Sequence, residues 1–138
     1  MTDPEIRTLL AESKTIAVVG LSSKTHRSSY EIAHYMQRHG YRIIPVNPRE
    51  TDVLGETAYP NLAAVPVPID IVNVFRNSAE IPALTADVLA LNPKPHAYWL
   101  QVGVSDPASE ARTEAAGIPT LSNACLMVLH KLMGPTGS

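Results

Sequence analysis

The chain has 138 residues, 45% hydrophobic and 17% charged, enough for one domain with a real core and too apolar for a disordered segment. Lys+Arg 11 against Asp+Glu 13 gives a net charge of -2 with no basic block, which excludes the electrostatic footprint of a non-specific nucleic-acid binder. Cys125, the single cysteine, cannot form an internal disulfide. The first ten residues carry neither a basic nor an apolar leader region, and the apolar runs are strand-length. A cytoplasmic protein without a membrane span is therefore expected.

Asp3 followed by Pro4, with Ile6, Leu9 and Leu10 beyond, predicts a short helix N-capped by Asp3 and ending near Ser13. Residues 15–20 form a β-branched run ending in glycine, which fits a strand buried on both faces of a parallel sheet. After a loop over 21–27, Ser28, Ser29, Tyr30 and Glu31 predict a capping box. Ile32, Ala33, Tyr35 and Met36 then recur at helical spacing until Gly40. Residues 42–47 predict a second strand, moved toward an edge or a bulge by Pro45. The segment 53–59 reads as an extended excursion and 61–65 as a short helical turn. Residues 69–75, 96–101 and 118–121 predict three more strands, separated by helices near 78–91 and 106–116.

Five strands alternating with helices predict an α/β fold, a three-layer doubly wound parallel sheet with helices on both faces and strand order 3-2-1-4-5. One domain is expected over 1–133, with 134–138 a flexible tail.

Ligands of such sheets bind outside the carboxyl ends of the strands, at the switch point, expected here between the first and fourth strands. At the first strand end Gly20 permits a tight turn, and a helix beginning at Ser28 turns its N–H groups to the crevice. Ser22, Ser23, Lys24, His26, Arg27 and Ser28 supply hydroxyl and cationic donors, the chemistry of a phosphate or pyrophosphate site. The same residues also suit a solvated basic loop capped for stability.

A dinucleotide fingerprint needs three spaced glycines and an acid closing the second strand. Here Gly20 stands alone and the strand closes with Asn47, Pro48 and Arg49. That disfavours NAD, and Arg49 offers a cation to a ribose phosphate. The glycines of a P-loop are missing as well. Phe75 and Arg76 leave the third strand together, which suits an adenine edge or a phosphate, and equally a core phenylalanine beside a surface arginine.

The five histidines have no metal spacing. No nucleophile with its base, carboxylate pair or G-x-S-x-G elbow is visible, so binding without catalysis is expected. Asp52 and Asp70 read as capping or solvated acids, and Tyr98 and Trp99 as core residues on opposite faces of one strand.

Several runs occur in order along the chain: Ile16-Ala-Val-Val-Gly-Leu-Ser22, Arg27-Ser-Ser-Tyr30, Ile44-Pro-Val-Asn-Pro48, Leu54-Gly55 with Tyr59-Pro60, Asp70-Ile-Val-Asn-Val-Phe-Arg76, Trp99-Leu-Gln-Val-Gly103, and Cys125. Together, over about residues 5–132, they resemble the small stand-alone CoA-binding proteins, which are similar to the CoA-binding domain of succinyl-CoA synthetase alpha subunits. The resemblance implies a Rossmann-like domain that binds coenzyme A. By position, Gly20, Ser22 and the Arg27-Ser28 helix start would hold the pyrophosphate, and Pro48 and Arg49 would flank the adenosine with its 3′-phosphate. Phe75 and Arg76 would line the nucleotide, and Gln101, Val102 and Gly103 would meet the pantetheine. Cys125 would sit near the ligand thiol, or else be inert packing.

The chain departs from its relatives in having Ala124 before Cys125 and Leu129 before His130, where they tend to carry a basic and an acidic residue. The phosphohistidine and acyl-transfer domains of the synthetases are absent from the sequence, so ligase activity is not implied. The expectation is a non-catalytic binder of CoA or an acyl-CoA, acting as a carrier, sensor or accessory module. Two alternatives stand beside it: a subunit of an acyl-CoA- or nucleotide-dependent enzyme completed by a protein partner, and a degenerate Rossmann domain that serves as an interaction surface.

Overall fold

Strand runs that are apolar at every position have no polar face, so alternation divides their side chains between two cores, one on each side of the sheet. In the computed structural model, which describes residues 1–135, β1 (Thr15–Val19) sends Ile16 and Val18 to one side and Ala17 and Val19 to the other. The other parallel strands are β2 (Arg42–Val46), β5 (Ile71–Val74), β6 (Ala97–Leu100) and β7 (Thr120–Leu121). Trp99 and Tyr98 divide in the same way, both fully buried. Each has its polar atom satisfied: Trp99 Nε1 donates to the Ala124 carbonyl at 3.0 Å, and the Tyr98 hydroxyl pairs with Thr85 Oγ1 at 3.1 Å. Burial pushes the Tyr98 phenol up to about 12.

One core lies under α1 (Asp3–Glu12), α2 (Ser28–Arg38) and α5 (Leu126–Met133), the other under α3 (Ile81–Leu89) and α4 (Pro107–Ala115). The strands pair in the order β2-β1-β5-β6-β7. The run expected third in the sheet, now β5, therefore lies directly beside β1, and the switch point falls between β1 and β5. The place beyond β2 is taken by Tyr59, in a parallel bridge to Val46. Tyr59 donates to the Pro45 carbonyl and accepts from Asn47 N–H. Counting that bridge as the third strand gives the layout 3-2-1-4-5 followed by β7. Pro45 marks β2 as the outermost full strand, as its missing N–H requires. Between β2 and Tyr59 the excursion is a small hairpin of β3 (Asp52–Val53) and β4 (Glu56–Thr57), turned by Leu54 and Gly55 at positive φ.

Local chemistry corrects two cap assignments. The cap of α1 is Thr2, whose hydroxyl accepts from Glu5 N–H while Glu5 returns a carboxylate to Thr2 N–H; Asp3 is the first helical residue. The expected capping box at Ser28 is absent: Arg27 is the N-cap of α2 and makes no side-chain cap bond. Asp70 does cap, its Oδ2 accepting from Lys14 N–H at 2.7 Å and Thr15 N–H at 3.0 Å at the start of β1. Helix α5, which follows the last expected strand, has no counterpart among the sequence-based elements. Gly134 closes it by donating to the His130 carbonyl at 2.8 Å, and residues 136–138 of the expected tail lie outside the described residues. Among the described residues no helix is long and apolar enough to cross a membrane.

Candidate functional site

The carboxyl ends of β1, β2 and β5 open into a crevice of about 640 Å3. Gly20 sets its floor. Its φ of +88° lies in the left-handed region, and a β-carbon there would collide with the Phe75 carbonyl oxygen and stand 3.4 Å from Arg76 Nε. Its N–H donates to the Val46 carbonyl at 2.8 Å, and Phe75 N–H donates to the Val19 carbonyl at 2.8 Å. The glycine thus lets three strand ends converge, and the approach it permits is that of β5.

The loop from Leu21 to Arg27 is held by two serine hydroxyls, one of its own and one from α2. Ser22 N–H donates to Ser29 Oγ at 3.1 Å, and Lys24 N–H donates to Ser22 Oγ at 3.1 Å. Opposite, Asn47 closes β2 with an Asx turn: its Oδ1 accepts from Arg49 N–H at 3.0 Å while its Nδ2 donates to the Leu21 carbonyl at 3.0 Å. One buried side chain therefore ties the two walls together. With no side-chain cap on α2, the first-turn N–H groups and the positive end of its dipole are left to the crevice.

Of the residues expected to bind a ligand, Gly20, Ser22, Lys24, Arg27, Ser28, Arg49, Phe75 and Arg76 line this one crevice. Among the described residues the ion pairs are Arg42 with Glu56 and His96 with Asp70. Lys24, Arg27, Arg49 and Arg76 thus converge without a carboxylate partner within salt-bridge distance, an arrangement that attracts a polyanion. Pro48 lies in an adjoining cavity of about 580 Å3 that shares Arg49 and Arg76 with the first. Its walls include Val19, Val46, Leu62 and Leu84, with the carboxylates of Glu80 and Asp87 beside the two guanidinium groups.

Gln101, Val102, Gly103 and Cys125 stand at the ends of β6 and β7 and line neither cavity. Of the three residues expected to meet the pantetheine, Gln101 has its side chain turned inward. It is buried, and its Oε1 accepts from Leu126 N–H at 2.9 Å and from Asn73 Nδ2 at 3.2 Å, bracing the start of α5 against the sheet. Val102 is exposed, and Gly103, at φ +82°, donates its N–H to Asn123 Oδ1 at 2.8 Å. Cys125 is the half-buried N-cap residue of α5, packed against the α1, α2 and α5 core.

The crevice also contains Asn47 and Glu50, which were not among the expected binding residues, together with Ser23 and Ser29 of the expected anion loop and helix start; His26, expected in the same loop, does not line it. Asn47 could have been found from its place before Pro48, as an Asx-turn signal. Glu50 carries no such signal, because an acid beside a basic loop reads as a solvated surface residue.

The model of a family described as "CoA binding domain" matches residues 14–131. A curated relative, the uncharacterized protein YneT of Bacillus subtilis (strain 168), is 37% identical over 126 residues, covering 91% of this chain and 92% of its own. A solved structure from Thermus thermophilus, cell-free ID.343, superposes with a TM-score of 0.92 at 38% identity, covering 96% of this chain and 99% of that one. A hypothetical protein from Pyrococcus horikoshii OT3 superposes with a TM-score of 0.91 at 28% identity, covering 96% and 92%.

Proposed function

Because the chain belongs to the CoA-binding-domain family, we propose that it binds coenzyme A in the crevice at the carboxyl ends of β1, β2 and β5, without catalysis of its own, as a carrier, sensor or accessory module. The observation that carries this reading is the convergence of Lys24, Arg27, Arg49 and Arg76, none of them ion-paired, around the uncapped start of α2. Coenzyme A is a nucleotide with a pyrophosphate and a 3′-phosphate, and four cations in one crevice match that charge better than they match a single phosphate.

In this reading the pyrophosphate lies along Ser22 to Ser28, where the α2 dipole and first-turn N–H groups favour negative charge. Arg49 and Arg76, which line both cavities, face the ribose 3′-phosphate, and the adjoining cavity takes the adenine ring against Val19, Val46, Leu62 and Leu84. Pantetheine leaves toward the ends of β6 and β7, where Val102 and Gly103 are exposed. The serines favour binding over nucleophilic chemistry: Ser22 and Ser29 hydroxyls already accept backbone N–H groups that shape the loop.

The test is backbone amide NMR during titration with CoA. Residues 20–29, 47, 49, 50 and 75–76 are expected to shift together and saturate at one dissociation constant below about a millimolar, the weak-binding limit. Shifts confined to other surfaces would overturn the assignment.

A further inference from the structure

Glu50 is the one carboxylate among the residues lining the cationic crevice, and it holds a backbone donor of the anion loop. Its Oε2 accepts from Ser23 N–H at 2.7 Å. The carboxylate is positioned by the turn that closes β2: Glu50 N–H donates to the Asn47 carbonyl at 3.2 Å, one residue after Arg49 N–H donates to the Asn47 side chain. It pairs with none of the four cations within salt-bridge distance. A negatively charged oxygen receiving an N–H of this loop, inside a ring of cations, does what a ligand phosphate oxygen would do there.

We propose that Glu50 is an internal competitor for the anion and thereby a specificity residue of the site. Resting on the reading of this crevice as the coenzyme A site, the proposal adds how the site discriminates among phosphorylated nucleotides. A ligand phosphate entering the loop meets the Glu50 charge and must displace it from Ser23 N–H. A nucleoside monophosphate, with one phosphate to set against that charge, is held poorly. A ligand whose pyrophosphate and ribose phosphate engage Lys24, Arg27, Arg49 and Arg76 at once overcomes it. The residue therefore lowers affinity for every anion, and lowers it most, in proportion, for those with few phosphates.

Calorimetric titration of the intact chain and of Glu50→Gln and Glu50→Ala, with CoA and with AMP, tests this. Glu50→Gln keeps an acceptor for Ser23 N–H and removes only the charge; Glu50→Ala removes both. Both variants are expected to bind CoA about three- to tenfold more tightly than the parent chain at low salt, the range of a screened charge interaction. The fold-gain for AMP should exceed that for CoA, and both gains should shrink as salt is added; a gain for AMP no larger than that for CoA would overturn the role in specificity. Unchanged or weaker CoA binding by both variants, with CoA still bound by the parent chain, would overturn the role of Glu50 and leave the coenzyme A reading intact. Absence of CoA binding by all three chains would overturn that reading, and the role of Glu50 with it.

Discussion

The carbonyl oxygen of Phe75 stands where a β-carbon on residue 20 would have to go, so Gly20 and Phe75 can only be neighbours while position 20 is glycine. Gly20→Ala would add both the collision and a left-handed backbone for a residue with a side chain. The expected cost is about 2–4 kcal/mol of stability, measured by chemical denaturation. Loss of CoA binding without loss of stability would instead mean that Gly20 touches the ligand.

Gln101 separates bracing from binding. Gln101→Leu leaves Leu126 N–H without its buried acceptor, and Asn73 Nδ2 with the Trp99 carbonyl alone, at 3.4 Å. It should destabilise the chain by about 1–3 kcal/mol, while CoA affinity at a temperature well below unfolding changes by less than about twofold, roughly 0.4 kcal/mol. A tenfold loss of affinity in a stably folded variant would show that the side chain meets the pantetheine after all.

Arg49 is expected to read the 3′-phosphate. Arg49→Ala should weaken CoA binding by about tenfold, or 1.4 kcal/mol, and dephospho-CoA binding far less. Equal losses for the two ligands would move Arg49 to the pyrophosphate.

His130 makes stability pH-dependent. Its Nδ1 pairs with the Tyr35 hydroxyl at 2.8 Å, and its Nε2 is buried without a partner. Tyr41 and His39 pack edge-on to its ring, with Lys131 over Tyr35. Burial, and then the neighbouring His39, hold His130 below the usual histidine range. A lowered folded-state value means the unfolded chain binds the proton more readily. The stabilisation is therefore full above the unfolded value of about 6.5 and is lost as pH falls from there through the folded value. Denaturation midpoints between pH 7.5 and pH 5 should fall, and His130→Phe should flatten that slope; an equal slope in the variant would contradict the assignment.

The strands and the crevice were legible in the sequence because both depend on local signals. Apolar β-branched runs ending at Gly20, Asn47 and Phe75 mark strands and their ends, and basic residues just past those ends can only lie at one edge of a parallel sheet. The neighbour of β1 was not legible: nothing local in residues 69–75 tells whether they pair with β1 or lie beyond β2, and a single bridge at Tyr59 fills the outer place. Helix caps were misassigned by one residue at Thr2 and Arg27, because serine, threonine and aspartate compete for such positions and tertiary contacts choose among them. Ser29 shows why: its hydroxyl serves Ser22 N–H across the loop, leaving the helix start open. Gln101 was placed at the correct strand end, but the direction of its side chain depends on α5, which the sequence reading did not supply.

Thermal unfolding of the reduced chain with CoA, and with NAD and ATP as controls, tests the central claim most directly. A ligand at about 100 times its dissociation constant stabilises the fold by roughly 2.7 kcal/mol. CoA should raise the midpoint by several degrees at a concentration where NAD and ATP leave it nearly unchanged. A midpoint unmoved by CoA at about a millimolar, or moved more by NAD, would contradict the account.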